Sequence, residues 1–182
     1  MRVEVSDQNF DRIKRLAEPL VDDFDSVLSR LLDAYEAVQG APTVAGKAQA
    51  MRDFNPASPP SLKHTKVLGV MLDGRQLDRL ETTWNGLLAA AVRIAAQRVS
   101  VDDPSFRRLM LVNFVPGSKS DEGYRFLSDA RISVQGQDAN AAWRGTFHIA
   151  RVLGIQLQVI FAWREKADAA FPSVVGRFLW GS

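Results

Sequence analysis

The sequence predicts an α+β fold, a mixed sheet with helices packed on one face, preceded by a small strand and helix segment and a linker. The clearest sign lies between Gly123 and Trp163, where the apolar period changes twice. Ile132 to Gly136 reads as a short strand ending at a glycine, and Asp138 can cap a helix whose apolar face is Ala139, Ala142, Trp143, Phe147 and Ala150, stopped by Gly154. From Ile155 the period is two: Ile155, Leu157, Val159, Phe161 and Trp163 share one side, and Gln156, Gln158 and Arg164 turn the other way. A second strand and helix pair precedes it, and 46% hydrophobic residues in 182 suffice for a real core.

Composition narrows the function classes. No apolar run approaches the roughly 18 residues a membrane helix needs, and the opening MRVEVSDQNF lacks the basic and then apolar regions of a signal peptide. A cytoplasmic protein with no membrane partner is expected. There is no cysteine, and only His64 and His148 supply imidazole, so a zinc site is disfavoured and no cofactor is expected. Residues 1–36 hold five basic and nine acidic side chains, a balance of −4, whereas the remainder holds 18 basic and 12 acidic, a balance of +6. A basic body favours phosphate, although a solvated charged surface has the same composition.

In chain order, Arg2 to Val5 alternates, with Val3 and Val5 on one face and Arg2, Glu4 and Ser6 on the other. Ser6 can cap a helix carrying Phe10, Ile13 and Leu16, which Pro19 breaks. A second helix follows Asp22, Asp23 and Asp25, with Val27, Leu28, Leu31, Leu32 and Tyr35 on its face. Residues 1–38 are too few to bury these faces alone, since independent folding usually needs about 40 residues or more. A homodimer formed through Val3, Val5, Phe10, Ile13, Val27, Leu28, Leu31, Leu32 and Tyr35 is expected.

The order strand, helix, turn, helix resembles the ribbon-helix-helix superfamily, and VEVSDQNFDRI with DSVLSRLLDAY is similar to the N-terminal oligomerisation segment of the SeqA replication regulators. The resemblance covers about a fifth of the chain (residues 1–38) and rests on apolar positions. It implies a ribbon shared by two chains and, in DNA-binding members, groove contact by outward ribbon residues, here Arg2, Glu4 and Ser6. The sequence departs from that pattern: Asp22, Asp23 and Asp25 crowd the helix start where a phosphate would sit, and Glu4 occupies the reading face. Oligomerisation fits the segment better than groove reading.

Residues 39–62 contain Gly40, Pro42, Gly46, Pro56, Pro59 and Pro60 and read as a linker, with an r.m.s. reach of about 30 Å if flexible. The α+β domain is expected over residues 63–182. Lys66 to Leu72 is its first strand, ending at the turn pair Asp73-Gly74. Thr82 or Thr83 caps a helix with Trp84, Leu87, Leu88, Ala91 and Ala95 buried, running to Arg98. Pro104 starts a short helix, Pro116 to Gly123 is a polar loop, and Tyr124 to Leu127 with Ile132 to Val134 suggests a hairpin. A loop with Pro172 leads to a last strand, Arg177 to Trp180.

Catalytic signatures are absent: there is no GxxxxGK[ST], no GxGxxG after a strand, and no acid, spacer, lysine pattern on a strand for a metal-dependent nuclease. His148 stands with Asn140, Arg144 and Arg151 on the polar side of its helix, which reads first as a solvated face. Lys63, Lys66, Lys119, Arg125 and Arg131 are candidate phosphate contacts, and Gln135 and Gln137 carry groups able to read a base edge or satisfy a turn. The expectation is a dimeric DNA-associated protein of a bacterial regulatory, genome-maintenance or defence type without catalytic activity. The alternative is an assembly subunit without DNA affinity, and an enzyme acting on nucleic acid is least favoured.

Overall fold

A computed structural model describes residues 51–181, which fall within the compact unit Gln49–Ser182. The expected ribbon, its helices, Arg2, Ser6 and the dimerisation residues lie outside the described residues. The domain is α+β, with two sheets where the sequence suggested one. Its larger sheet has the order β1-β8-β7-β2-β3, built from β1 (Arg52–Asp53), β2 (Thr65–Leu72), β3 (Arg75–Gln76), β7 (Leu157–Trp163) and β8 (Val175–Trp180). It is mixed, because β1 runs parallel to β8 while the other pairs are antiparallel. The smaller sheet, β4-β6-β5, is antiparallel and holds β4 (Phe114–Pro116), β5 (Tyr124–Leu127) and β6 (Ile132–Gln135).

Local chemistry places each element. Asp73 and Gly74 both take positive φ, at 52° and 78°, which suits a two-residue hairpin turn and pairs Leu72 with Arg75. Thr83 caps α1 (Trp84–Arg98) by accepting from Gly86 N at 2.9 Å. Position 86 has to be glycine because a Cβ there would overlap the Glu81 backbone. Asp103 caps α2 (Pro104–Leu109), and Asp138 caps α3 (Ala139–Leu153) by accepting from Asn140 N and Ala141 N. Gly154, at φ 63°, closes α3 in the left-handed conformation.

Alternation along β7 is complete: Leu157, Val159, Phe161 and Trp163 are buried and the residues between are half-exposed. The buried face meets α1 and α3 through stacked aromatic rings. Trp143 lies 4.3 Å from Phe178, Trp84 lies 5.5 Å from Phe161, and the two tryptophans meet edge to face at 6.0 Å. Small residues let the helices approach: a Cβ on Gly145 of α3 would stand 3.2 Å from Leu88 of α1. Among the described residues, no helix is long and apolar enough to cross a membrane.

The domain starts earlier than the expected residue 63, because Arg52–Leu62 is bound to the body. Phe54 packs 5.3 Å from Trp163 and 5.2 Å from Phe171, and Leu62 is fully buried. Three hydrogen bonds hold the segment: Trp143 Nε1 donates to Pro56 O at 3.0 Å, Trp163 Nε1 to Ser61 O at 2.9 Å, and Leu62 N to Asn140 Oδ1 at 2.8 Å. The stretch that read as a linker is instead a strap, turned at residues 56–58, whose carbonyls satisfy buried indoles. Two further departures are local. β4 lies partly in the expected polar loop, and β8 begins two residues before Arg177.

Candidate nucleic-acid interface

The sequence-selected basic residues do not form one cluster, since they belong to different sheets. Lys66 lies exposed on β2, with Lys63 just before that strand. Arg125 is exposed on β5, and Arg131 is exposed in the β5–β6 turn at φ 53°. Lys119 is fixed near them by Ser133, a fully buried residue whose hydroxyl accepts from Lys119 N and donates to Gly117 O, both at 2.8 Å.

Two of these cations are already engaged. Lys119 pairs with Glu122, stands 4.0 Å from Asp121, and lies 4.5 Å over the Tyr124 ring. The Glu122 hydrogen bond pushes the lysine up from its ordinary pKa, and Lys119 in turn holds the Glu122 carboxyl below its usual range. Lys63 Nζ donates to Asp168 at 2.6 Å. His64 Nε2 lies 2.9 Å from the same carboxylate without an aligned hydrogen bond. Lys63 and then His64 lower the Asp168 pKa well below the carboxylate range.

Gln135 and Gln137 take the structural role. Gln135 Oε1 accepts from Asn113 at 2.9 Å and its Nε2 donates to Glu122 O at 3.2 Å. Gln137 Nε2 donates to Gln135 O at 3.0 Å, while its backbone exchanges two hydrogen bonds with the Asn85 side chain. The Gln135 amide thus joins Asn113 to the β4–β5 loop, and the Gln137 amide holds the β6–α3 turn. Asn140 is likewise spent on Leu62, which leaves Arg144, His148 and Arg151 on the outward side of α3.

Most carboxylates of the body are committed as well. Asp53 holds Arg177 with two bonds of 2.7 and 2.8 Å, which lowers the acid and raises the base. Glu81 bridges Arg75 and Arg93, Arg93 reaches Asp129, and Asp73 pairs with Arg98. Asp103 is held low first by the Ser105 hydroxyl it accepts from and less by Arg108. Arg125, Arg131, Arg144, Arg151 and Lys66 have no carboxylate within 4.0 Å among the described residues. Among the described residues, no three His, Cys, Asp or Glu side chains gather as a metal site. No protein-family model, curated protein or solved structure matches this chain.

Proposed function

We propose that this chain is a dimeric, non-catalytic DNA-associated protein of the bacterial regulatory, genome-maintenance or defence kind. Residues 1–38 join two chains in the manner of a ribbon-helix-helix segment, and the α+β body supplies most of the contact with duplex phosphate. The observation that supports it is the allocation of charge: most of the body's acids serve caps and internal ion pairs, leaving exposed cations without a carboxylate within 4.0 Å among the described residues. Free arginines on ordered elements are suited to phosphate oxygens, and such contacts fix position without reading sequence. Retardation of a generic duplex by the full chain tests the reading, together with light scattering for the dimer. A monomer that leaves the duplex unshifted at low salt would contradict both halves.

The second reading, an assembly subunit without DNA affinity, is favoured by the larger sheet's open face. Met71 and Leu179, which flank Gln158 in register across β2, β7 and β8, are both exposed. An assembly subunit would leave duplex DNA unshifted at every salt concentration.

A further inference from the structure

The exposed cations differ in their surroundings, and one group is assembled by tertiary packing. α3 carries Arg144 and Arg151 on its outward side, seven residues or two turns apart, which puts their Cα atoms about 10.5 Å from each other along one face. Between them stands His148, whose Nε2 lies 3.1 Å from the carbonyl of Arg108. A carbonyl can only accept, so Nε2 carries the proton and donates. That bond ties the last turn of α2 to the middle of α3 and brings Arg107 and Arg108, both exposed, beside the α3 pair. Arg107 also lies 5.5 Å over the Phe114 ring, which steadies its guanidinium without neutralising it.

The carboxylates near this face are Asp102 and Asp103, at the far end of α2, and Asp103 is occupied by the Ser105 hydroxyl and amide. On the small sheet, by contrast, Lys119 is offset by Asp121 and Glu122, and Asp129 is taken by Arg93. Across α2 and α3, Arg107, Arg108, Arg144 and Arg151 have no carboxylate within 4.0 Å among the described residues.

The geometry points to the α2–α3 face, through Arg108, Arg144 and Arg151, as the surface that binds the phosphate backbone of duplex nucleic acid, without sequence preference. This rests on the DNA-associated reading and adds its location and mode. Guanidinium groups match phosphate oxygens in pairs. The amide beside them, Asn140, already accepts from Leu62 N. The occupant is a polyanion with regularly spaced charge, which two arginines a fixed distance apart on one helix face match.

Fluorescence anisotropy with a labelled duplex of arbitrary sequence tests this on the full chain, across about 50 to 200 mM salt. Wild type is compared with the change Arg108→Gln with Arg144→Gln and Arg151→Gln, and with the change Lys66→Gln with Arg125→Gln and Arg131→Gln. Removing three phosphate contacts from α2 and α3 should flatten the log K against log salt slope by roughly 2.7 and weaken binding at least about tenfold at low salt. The other triple change should have a smaller effect on both. Circular dichroism melting checks folding, and Arg→Lys at the same three α2–α3 positions should keep most of the slope. If wild type binds and the α2–α3 change is silent, the location is wrong while the DNA-associated reading stands. If wild type does not bind the duplex, that reading fails first. Binding to phosphatidylserine vesicles in place of duplex would overturn the inference in favour of a lipid surface.

Discussion

Removing residues 1–62 should unfold the domain, whereas removing 1–48 should not. The difference between the two truncations is the strap that ends at Leu62. Its loss deletes the Leu62 side chain from a fully buried site, takes Phe54 from the Phe161, Trp163 and Phe171 rings, and abolishes the bonds to both indoles and to Asn140. Three hydrogen bonds at a net value of about 1 kcal/mol each, and two apolar side chains at about 1.5 to 2 kcal/mol each, come to roughly 6 to 7 kcal/mol. That approaches the whole stability of an ordinary domain, about 5 to 15 kcal/mol. Urea titration followed by tryptophan fluorescence is suited to it, because Trp143 and Trp163 are the strap's partners. The longer fragment should unfold cooperatively, and the shorter should show no transition or a greatly lowered midpoint. Equal midpoints would refute the reasoning and return residues 52–62 to the linker.

Other outcomes follow from single contacts. Gly176→Ala should destabilise by about 1 to 3 kcal/mol in the same titration, since its Cβ would stand 2.8 and 2.9 Å from the Phe161 ring and 3.0 Å from Phe54. Asp53, Asp103, Glu122 and Asp168 all have depressed folded-state pKa values, so the unfolded chain binds more protons and stability falls as pH drops below about 4. These groups contribute no change between about pH 5 and 8, and Asp168→Asn should make the acid loss shallower; an unchanged acid profile would remove Asp168 from the explanation. If residues 1–38 join two chains as proposed, Leu31→Asp in the full chain should abolish the dimer, because an unpaired charge in a small apolar interface costs on the order of several kcal/mol, and light scattering at micromolar concentration checks it.

Much of the body was legible because its signals are local. The Thr83 and Asp138 caps, the Asp73-Gly74 turn, the Gly154 stop and the period-two run ending at Trp163 each follow from chemistry within a few residues. The Pro-rich strap was not legible, since Pro56 and Ser61 matter only through carbonyls offered to indoles 87 and 102 residues away. β4 is three residues long, and only β6 beside it makes it a strand.

The candidate site was less legible than the fold. Arg144 and Arg151 were visible as one face of a helix, but a sequence gives no sign that His148 reaches the Arg108 carbonyl and joins a second helix to that face. Nor does it show that Lys119 is paired with Glu122, or that the Gln135 amide bonds Asn113 and the Glu122 carbonyl. Charge balance identified the body as basic; only the ion pairs show where that charge is unspent.

The central claim is that the body holds duplex DNA through several phosphate contacts, and the salt dependence of wild-type binding measures that number. Three or four arginine contacts predict a log K against log salt slope of about −2.7 to −3.6 for a generic duplex, unchanged when the duplex sequence is scrambled. A flat slope, or no binding at about 50 mM salt, would contradict it.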